Sequence, residues 1–169
     1  MALLPIVKYG DPVLRKKTAL VERVDDRIRK LIEDMFQTMY AAPGVGLAAN
    51  QVGLSLRLAV IDIKPNGRSE KIVLINPEIE SLSGDIEEEE GCLSLPGFYA
   101  ETKRRSKARV RALNESGLPI VVEGEGLLAR ALQHEIDHLE GKVYIDHVGF
   151  IMKRRIESEV KARQKRGEW

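Results

Sequence analysis

The sequence predicts an α+β fold. Apolar residues recur at helical spacing near both ends of the chain, while the middle breaks into short apolar runs joined by turns. Connections of hairpin length favour antiparallel pairing.

The first twenty residues are mixed in character and punctuated by Pro5 and Pro12, which reads as an extended arm. A helix follows, carried by Ile28, Leu31, Ile32, Met35, Phe36, Met39 and Tyr40; Asp25 or Asp26 can cap its start, and Pro43-Gly44 ends it. Its stripe is core. Between Leu47 and Glu123 the pattern is that of strands: the mostly apolar run Leu56 to Ile63, then Ile72 to Ile75 and Ile79 to Leu82, separated by Asn76-Pro77. Ala108 to Leu113 alternates, and Asn114 to Gly117 forms a hairpin turn before Leu118 to Val122. A second helix is expected from about Leu127 to Glu140, with Gly141 as its stop, and a third from Phe150 to Arg166.

Nothing divides the chain. It has no internal repeat and no linker-like segment, and its 169 residues suffice for one domain, 1–169, with a full core. With 43% hydrophobic residues, 31% charged residues and a net charge of +1, the composition is that of an ordinary globular protein. A near-neutral balance gives no whole-molecule attraction to nucleic acid, so no specific nucleic-acid partner is expected. No apolar run approaches the ~20 residues of a membrane span. The first residues lack the charged lead and long apolar stretch of a signal peptide, and a single cysteine excludes an internal disulfide, so the cytoplasm is the expected compartment.

The most informative stretch is Gln133 to Gly141, which contains His134-Glu135-Ile136-Asp137-His138. Residues four apart on a helix share a face, so the two imidazoles can chelate one metal ion and Glu135 can reach a water on it. The plainer reading is a charged helix that happens to hold two histidines. A hydrolytic site keeps a position open for water, so three protein ligands are typical. Cys92, His147 and a carboxylate are the candidates for the third. Cys92 follows the acidic run Asp85 to Glu90; a lone cysteine is more often a small buried hydrophobe. His147 has no partner at helical spacing and reads as a surface or structural residue.

A third segment runs from Gly44 to Gly53. Its glycines allow close backbone approach, its small residues leave room for a ligand, and Gln51 brings an amide donor. A plain Gly-rich turn is the alternative. Phosphate binding is excluded, because no Gly-Lys-Ser/Thr and no helical pattern follow.

Together these segments resemble the peptide deformylase family. The family's Gly-x-Gly-x-Ala-Ala-x-Gln, Glu-Gly-Cys-Leu-Ser and Gln-His-Glu-x-Asp-His-Leu stand here in order, at Gly44 to Gln51, Glu90 to Ser94 and Gln133 to Leu139. Gly10 to Arg15 is similar to the family's N-terminal segment. The resemblance implies antiparallel strands packed around a central metal-binding helix, with an N-terminal and a C-terminal helix. It implies a hydrolase that removes the N-formyl group from the N-terminal methionine of newly synthesised polypeptides and releases formate. It assigns Cys92, His134 and His138 as metal ligands, Glu135 as general acid/base, and Gln51 with the Leu93 backbone N–H as oxyanion stabilisers. The implied metal is Fe(II), with Zn, Ni or Co able to substitute; one thiolate and two imidazoles suit these ions and disfavour Mg or Ca.

Methionine selectivity needs an apolar pocket beside the metal. Leu127 and Ala131, seven and three positions before His134, share its helix face and serve either pocket or core. Val45 is the expected cover, and Gly46 and Gly91 belong to the same substrate-binding set. Arg130 lines the mouth or pairs with an acidic residue. The resemblance also implies that Glu90, the glutamate before Gly-Cys, accepts a charge-assisted hydrogen bond from Arg104 and so holds the Cys92 strand in place; a solvated ion of the acidic run is the plainer reading. The segment Lys153 to Trp169 is locally basic. It is read first as a solvated, frayed terminal helix and second as a weak contact to the ribosome; on either reading, deletion after Met152 is expected to spare turnover. Two other functions compete: a zincin-type metallopeptidase, which shares His-Glu-x-x-His, and a non-catalytic binding module. Cys92 and the Gln51 segment argue against the first, and an intact Glu135 with all three ligands against the second.

Overall fold

Two antiparallel sheets and three α-helices account for most of residues 2–169, the part of the chain that the computed structural model describes. The larger sheet has five strands in the order β1 (Gly46–Ala48), β2 (Leu58–Ile61), β3 (Ile72–Ser83), β6 (Lys107–Leu113) and β7 (Pro119–Glu125). The smaller is a hairpin of β4 (Ile86–Cys92) and β5 (Leu95–Arg104). The helices are α1 (Asp26–Ala41), α2 (Gly126–Leu139) and α3 (Phe150–Arg166).

The alternation of side chains along the strands explains the layering. Leu58 and Val60 on β2, with Val73 and Ile75 on β3, pack against Ile32, Met35, Phe36 and Met39 of α1. Their neighbours Ile61 and Leu74, joined by Val110, face the opposite way, onto Ala129, Leu132 and Ile136 of α2. The centre of the sheet is therefore covered on both faces, and all four residues of β2 are fully buried. That is why this stretch reads as a continuous apolar run rather than an alternating one. Each such side chain contributes roughly 1.5–3 kcal/mol on burial. Because α2 turns one face to this core, its opposite face, with His134 and His138, is left for chemistry. Asp25 caps α1 by accepting the Ile28 N–H at 3.1 Å.

Several sequence expectations need correction. Ile72–Ile75 and Ile79–Leu82 are not two strands but one, β3, whose register shifts at Asn76-Pro77; Asn76 takes a positive φ of 53° and both its amide atoms bond the Val21 backbone. The last strand of the hairpin is Pro119–Glu125 rather than Leu118–Val122. The Gly-rich segment contributes a short strand, β1, and the acidic run Asp85–Glu90 lies mostly in β4. The segment after Met152 is not a frayed, solvated helix. Ile156 and Val160 of α3 are buried with Leu95, Ala100, Val143 and Tyr144, in a cluster that Cys92 also touches. Deletion after Met152 would open that cluster, so it would not spare the site.

Among the described residues, no helix is long and apolar enough to cross a membrane.

Candidate metal centre

The two histidines come from successive turns of α2, and their Nε2 atoms lie 3.2 Å apart. Cys92 ends β4, and its Sγ is 3.3 Å from His138 Nε2. The three donor atoms all lie within 4.8 Å of one another. A tetrahedral ion with bonds of ~2.05 Å to nitrogen and ~2.3 Å to sulfur would separate its donors by about 3.3–3.6 Å. The donor set therefore fits one divalent metal in both chemistry and spacing. A β-bulge aims the cysteine: Gly91 pairs with Tyr99, whereas the next residue, Cys92, pairs with Leu95. Pro96, Gly97 and Phe98 are left over and form a wall of the cleft.

Glu90 fixes the orientation of His134. Its Oε1 lies 3.0 Å from His134 Nδ1, which reserves Nε2 for the metal. Arg104 in turn grips Glu90 with two bonds, Nε to Oε2 at 3.1 Å and Nη2 to Oε1 at 3.0 Å, as the sequence anticipates. Its remaining arm donates to Asp137 Oδ2 at 2.6 Å, where His147 Nε2 also arrives at 2.8 Å. His147 is thus a structural partner of Asp137 and stands outside the donor cluster. Burial alone would raise the Glu90 pKa, but the bonds from His134 and Arg104 hold it near 2.

Burial disfavours charge on both metal-site histidines. At His134 the neighbouring Glu135, Cys92 and Glu90 outweigh burial and raise its pKa; at His138 burial and the charge on His134 together lower it. Metal binding needs both imidazoles in the neutral form, so it would displace any proton shared there. Glu135 is buried at 4% exposure, its Oε1 has no hydrogen-bond partner, and its Oε2 lies against Gly46. Burial pushes its carboxyl up to about 7, against the pull of His134 and Arg104.

The three segments singled out in the sequence meet around a cleft of about 750 Å³. Val45, Gly46, Gln51, Gly91, Cys92, Leu93, Leu127, Ala131, His134 and Glu135 all line it. Val45 and Leu127 are largely exposed at its edge, whereas Ala131 is buried and also belongs to the core under α2. Arg130 lines the cleft and also pairs with an acidic residue: its Nε lies 3.6 Å from Glu90 Oε2, and its Nη2 donates to the Glu89 backbone carbonyl at 2.8 Å. Gln51 sits on a 3₁₀ turn, Ala49–Val52, that follows β1. Its Oε1 accepts the Ala48 N–H at 2.9 Å, which turns Nε2 toward Ser94 Oγ (3.1 Å) and Cys92 Sγ (3.5 Å). Sequence reasoning missed Ser94, Asp137 and Ile6, the last of which reaches the cleft from the arm. Ser94 and Asp137 carried a signal all the same, as positions of the Glu-Gly-Cys-Leu-Ser and Gln-His-Glu-x-Asp-His-Leu motifs.

A thiolate and two imidazoles beside a buried carboxylate, in an open cleft, define a mononuclear metal hydrolase. The family model for polypeptide deformylase matches residues 3–154. A peptide deformylase of Cellvibrio japonicus is 47% identical over 168 residues, 99% of each chain, and one of Teredinibacter turnerae is 50% identical over 98% of each. Among solved structures, a peptide deformylase from Legionella pneumophila superposes with a TM-score of 0.88 at 48% identity, covering 98% of this chain and 99% of that one. One from Synechococcus elongatus in complex with actinonin gives 0.88 at 40% identity, covering 94% and 88%. The chain belongs to the polypeptide deformylase family. It is a hydrolase that removes the N-formyl group from the N-terminal methionine of newly synthesised polypeptides.

Proposed function

We propose that Cys92, His134 and His138 hold the single divalent metal, natively Fe(II), and that Glu135 moves the protons of the reaction, within one catalytic unit spanning residues 1–169. The observation that carries this reading is the convergence of the three donors beside Glu135, whose Oε1 has no partner of its own. When bound, such a metal polarises a carbonyl and lowers the pKa of water toward neutrality. Val45, Leu127 and Ala131 receive the methionine side chain, whose burial contributes roughly 1.5–3 kcal/mol. Gly46 on β1 and Gly91 on β4 line the cleft and present their backbone to the substrate. Glu135 takes the proton of the attacking water and delivers it to the leaving amine. Gln51 Nε2 and the Leu93 N–H donate to the formyl oxygen as it gains charge; the Ala48 bond to Oε1 holds the Gln51 amide in that orientation beforehand.

The test is metal analysis of anaerobically purified protein, with formate release from formyl-Met-Ala measured on Fe, Ni, Co and Zn forms. The native Fe form should carry high turnover. Protein purified with Zn and equally active on it would overturn the assignment of iron.

The lone cysteine, used as a thiolate ligand, and a nascent-chain substrate both support a reducing, cytoplasmic setting. Arg154, Arg155, Lys161, Lys165 and Arg166 are exposed on α3 and support a weak electrostatic contact with ribosomal RNA. Reversing Lys161 and Lys165 to glutamate should reduce low-salt co-sedimentation with ribosomes and leave formyl-Met-Ala turnover unchanged. Unaltered co-sedimentation would remove the contact.

A further inference from the structure

Beyond α3 the chain does not run on into solvent. Gly167 adopts a positive φ of 70°, and the N–H groups of Gly167 and Glu168 return to the carbonyls of Gln164 and Arg163 at 3.2 and 2.8 Å. This left-handed cap reverses the chain and lays Trp169 against the N-terminal arm at Tyr9 and the cleft wall at Phe98. The indole Nε1–H donates to the Tyr9 carbonyl at 2.7 Å. The ring meets Phe98 edge-on, with centroids 6.0 Å apart and planes at 60°.

Both contacts lead to the reaction centre. The Tyr9 N–H donates to the Ser94 carbonyl at 2.8 Å, and Ser94 Oγ accepts from Gln51 Nε2. Two residues earlier in the arm, the Val7 N–H donates to the Gln51 carbonyl at 2.8 Å. The arm is therefore a strap across the two segments that carry Gln51 and Cys92-Leu93-Ser94, and Trp169 pins one end of it. Phe98 lines the cleft directly; its carbonyl accepts from Tyr144 Oη at 3.1 Å, and the Arg163 guanidinium lies 4.7 Å from its ring centroid. Trp169 closes the third side of that aromatic residue.

We propose that Trp169 is a positioning residue for deformylation: it braces the arm and Phe98 together, and so sets the position of the Gln51 amide and the far wall of the cleft. The brace lies beyond residue 154, where the family match ends. The inference rests on the deformylase reading, and the two fail differently. An unmodified protein that releases no formate would end the reading, whereas an active protein indifferent to Trp169 would end only the inference.

Trp169 is the single tryptophan of the chain, so its fluorescence reports the brace without labels. In the unmodified metal-loaded enzyme, saturating Met-Ala-Ser, the product peptide of formyl-Met-Ala-Ser, should change the emission of Trp169. In Trp169→Ala, kcat on formyl-Met-Ala-Ser should fall roughly 10-fold, because small misplacements of a positioned group cost up to about 10²-fold. KM should change less, since the displaced donor acts on the transition state. Trp169→Phe keeps an aromatic edge on Phe98 but loses the N–H, and should fall between the two at an unchanged Tm and metal content. Wild-type kcat and KM in both variants would overturn the proposal. So would a Trp169→Phe loss explained entirely by lower metal content or lower Tm, or an emission indifferent to the product peptide.

Discussion

Gly46 and Glu135 occupy each other's space. A Cβ placed on Gly46 would lie 2.8 Å from Glu135 Cδ and closer still to Oε2, so the carboxylate stands where any other residue's side chain would be. The glycine is needed for this approach rather than for an unusual backbone angle. β1 pairs with β2 from Gly46 to Ala48, which fixes its backbone and leaves the carboxylate as the group that must move. Gly46→Ala should therefore displace Glu135 without touching a metal ligand. We expect full metal content and kcat lower by about 10²-fold on formyl-Met-Ala. Normal turnover would mean that Glu135 can act from a different rotamer.

Glu135→Gln removes the proton carrier and keeps the shape. General acid–base groups typically contribute ~10²–10⁴-fold, and a loss in that range is expected with metal retained. Metal content and single-turnover formate release, measured on one preparation, separate the two effects. Near-normal turnover in the metal-loaded variant would refute the role.

Gln51→Ala should lower kcat more than it raises KM, because the charge on the formyl oxygen exists only in the transition state. Loss of one such donor costs roughly 2.7–4 kcal/mol of barrier. A second effect follows from the position of Gln51. Its Oε1 satisfies the buried Ala48 N–H, so the variant should also lose about 1–3 kcal/mol of stability in denaturant unfolding. A change in KM alone would make Gln51 a ground-state binding residue.

Arg104 is the hinge of the charge chain behind His134. Its side chain is 2% exposed and it serves Glu90 and Asp137 together. Arg104→Met would leave Glu90 buried without its main counter-charge, which typically costs about 3–5 kcal/mol. Glu90→Gln is the milder change, and it should weaken metal binding by roughly 10–100-fold through the lost hold on His134. Competition with a chelator measures this directly. Unchanged affinity in Glu90→Gln would show that α2 alone orients the imidazole.

These contacts mark the boundary of what could be read without coordinates. The helices were legible because Ile28 to Tyr40 and the stretch after Leu127 keep helical spacing, and His134 and His138 share a face by spacing alone. β4 was hidden because glutamate is poorly suited to strands. Pairing overrides that preference here, with Glu87 opposite Lys103 and Glu88 opposite Thr102 on β5. Glu90 could be linked to Arg104 only through family resemblance, and its bond to His134 spans 44 positions. The segment after Met152 looked solvated because charged residues dominate it. Ile156, Val160 and Trp169 are few, yet they carry its apolar packing.

Asp62 provides a pH test away from the metal. It follows β2 directly at 1% exposure, and its own N–H donates to the Val45 carbonyl at 2.9 Å, which anchors the edge of the cleft. Burial by itself would raise its pKa. Tyr40 Oη (2.6 Å), Ser69 Oγ (2.7 Å) and the N–H groups of Glu70 and Lys64 (3.0 Å each) outweigh burial and hold it at about 2. An unfolded aspartate titrates near ~3.9, so the folded value is depressed. The stabilisation is then complete above pH ~4 and is lost as pH falls through about 2, because the unfolded chain takes up the proton first. Its size is on the order of 1–2 kcal/mol. Asp62→Asn should lower Tm at neutral pH, and the difference from the unmodified protein should shrink between pH 4 and pH 2, measured with both proteins in the same metal state. A difference independent of pH would mean that Asp62 stabilises the cleft edge by shape and hydrogen bonding alone, without its charge.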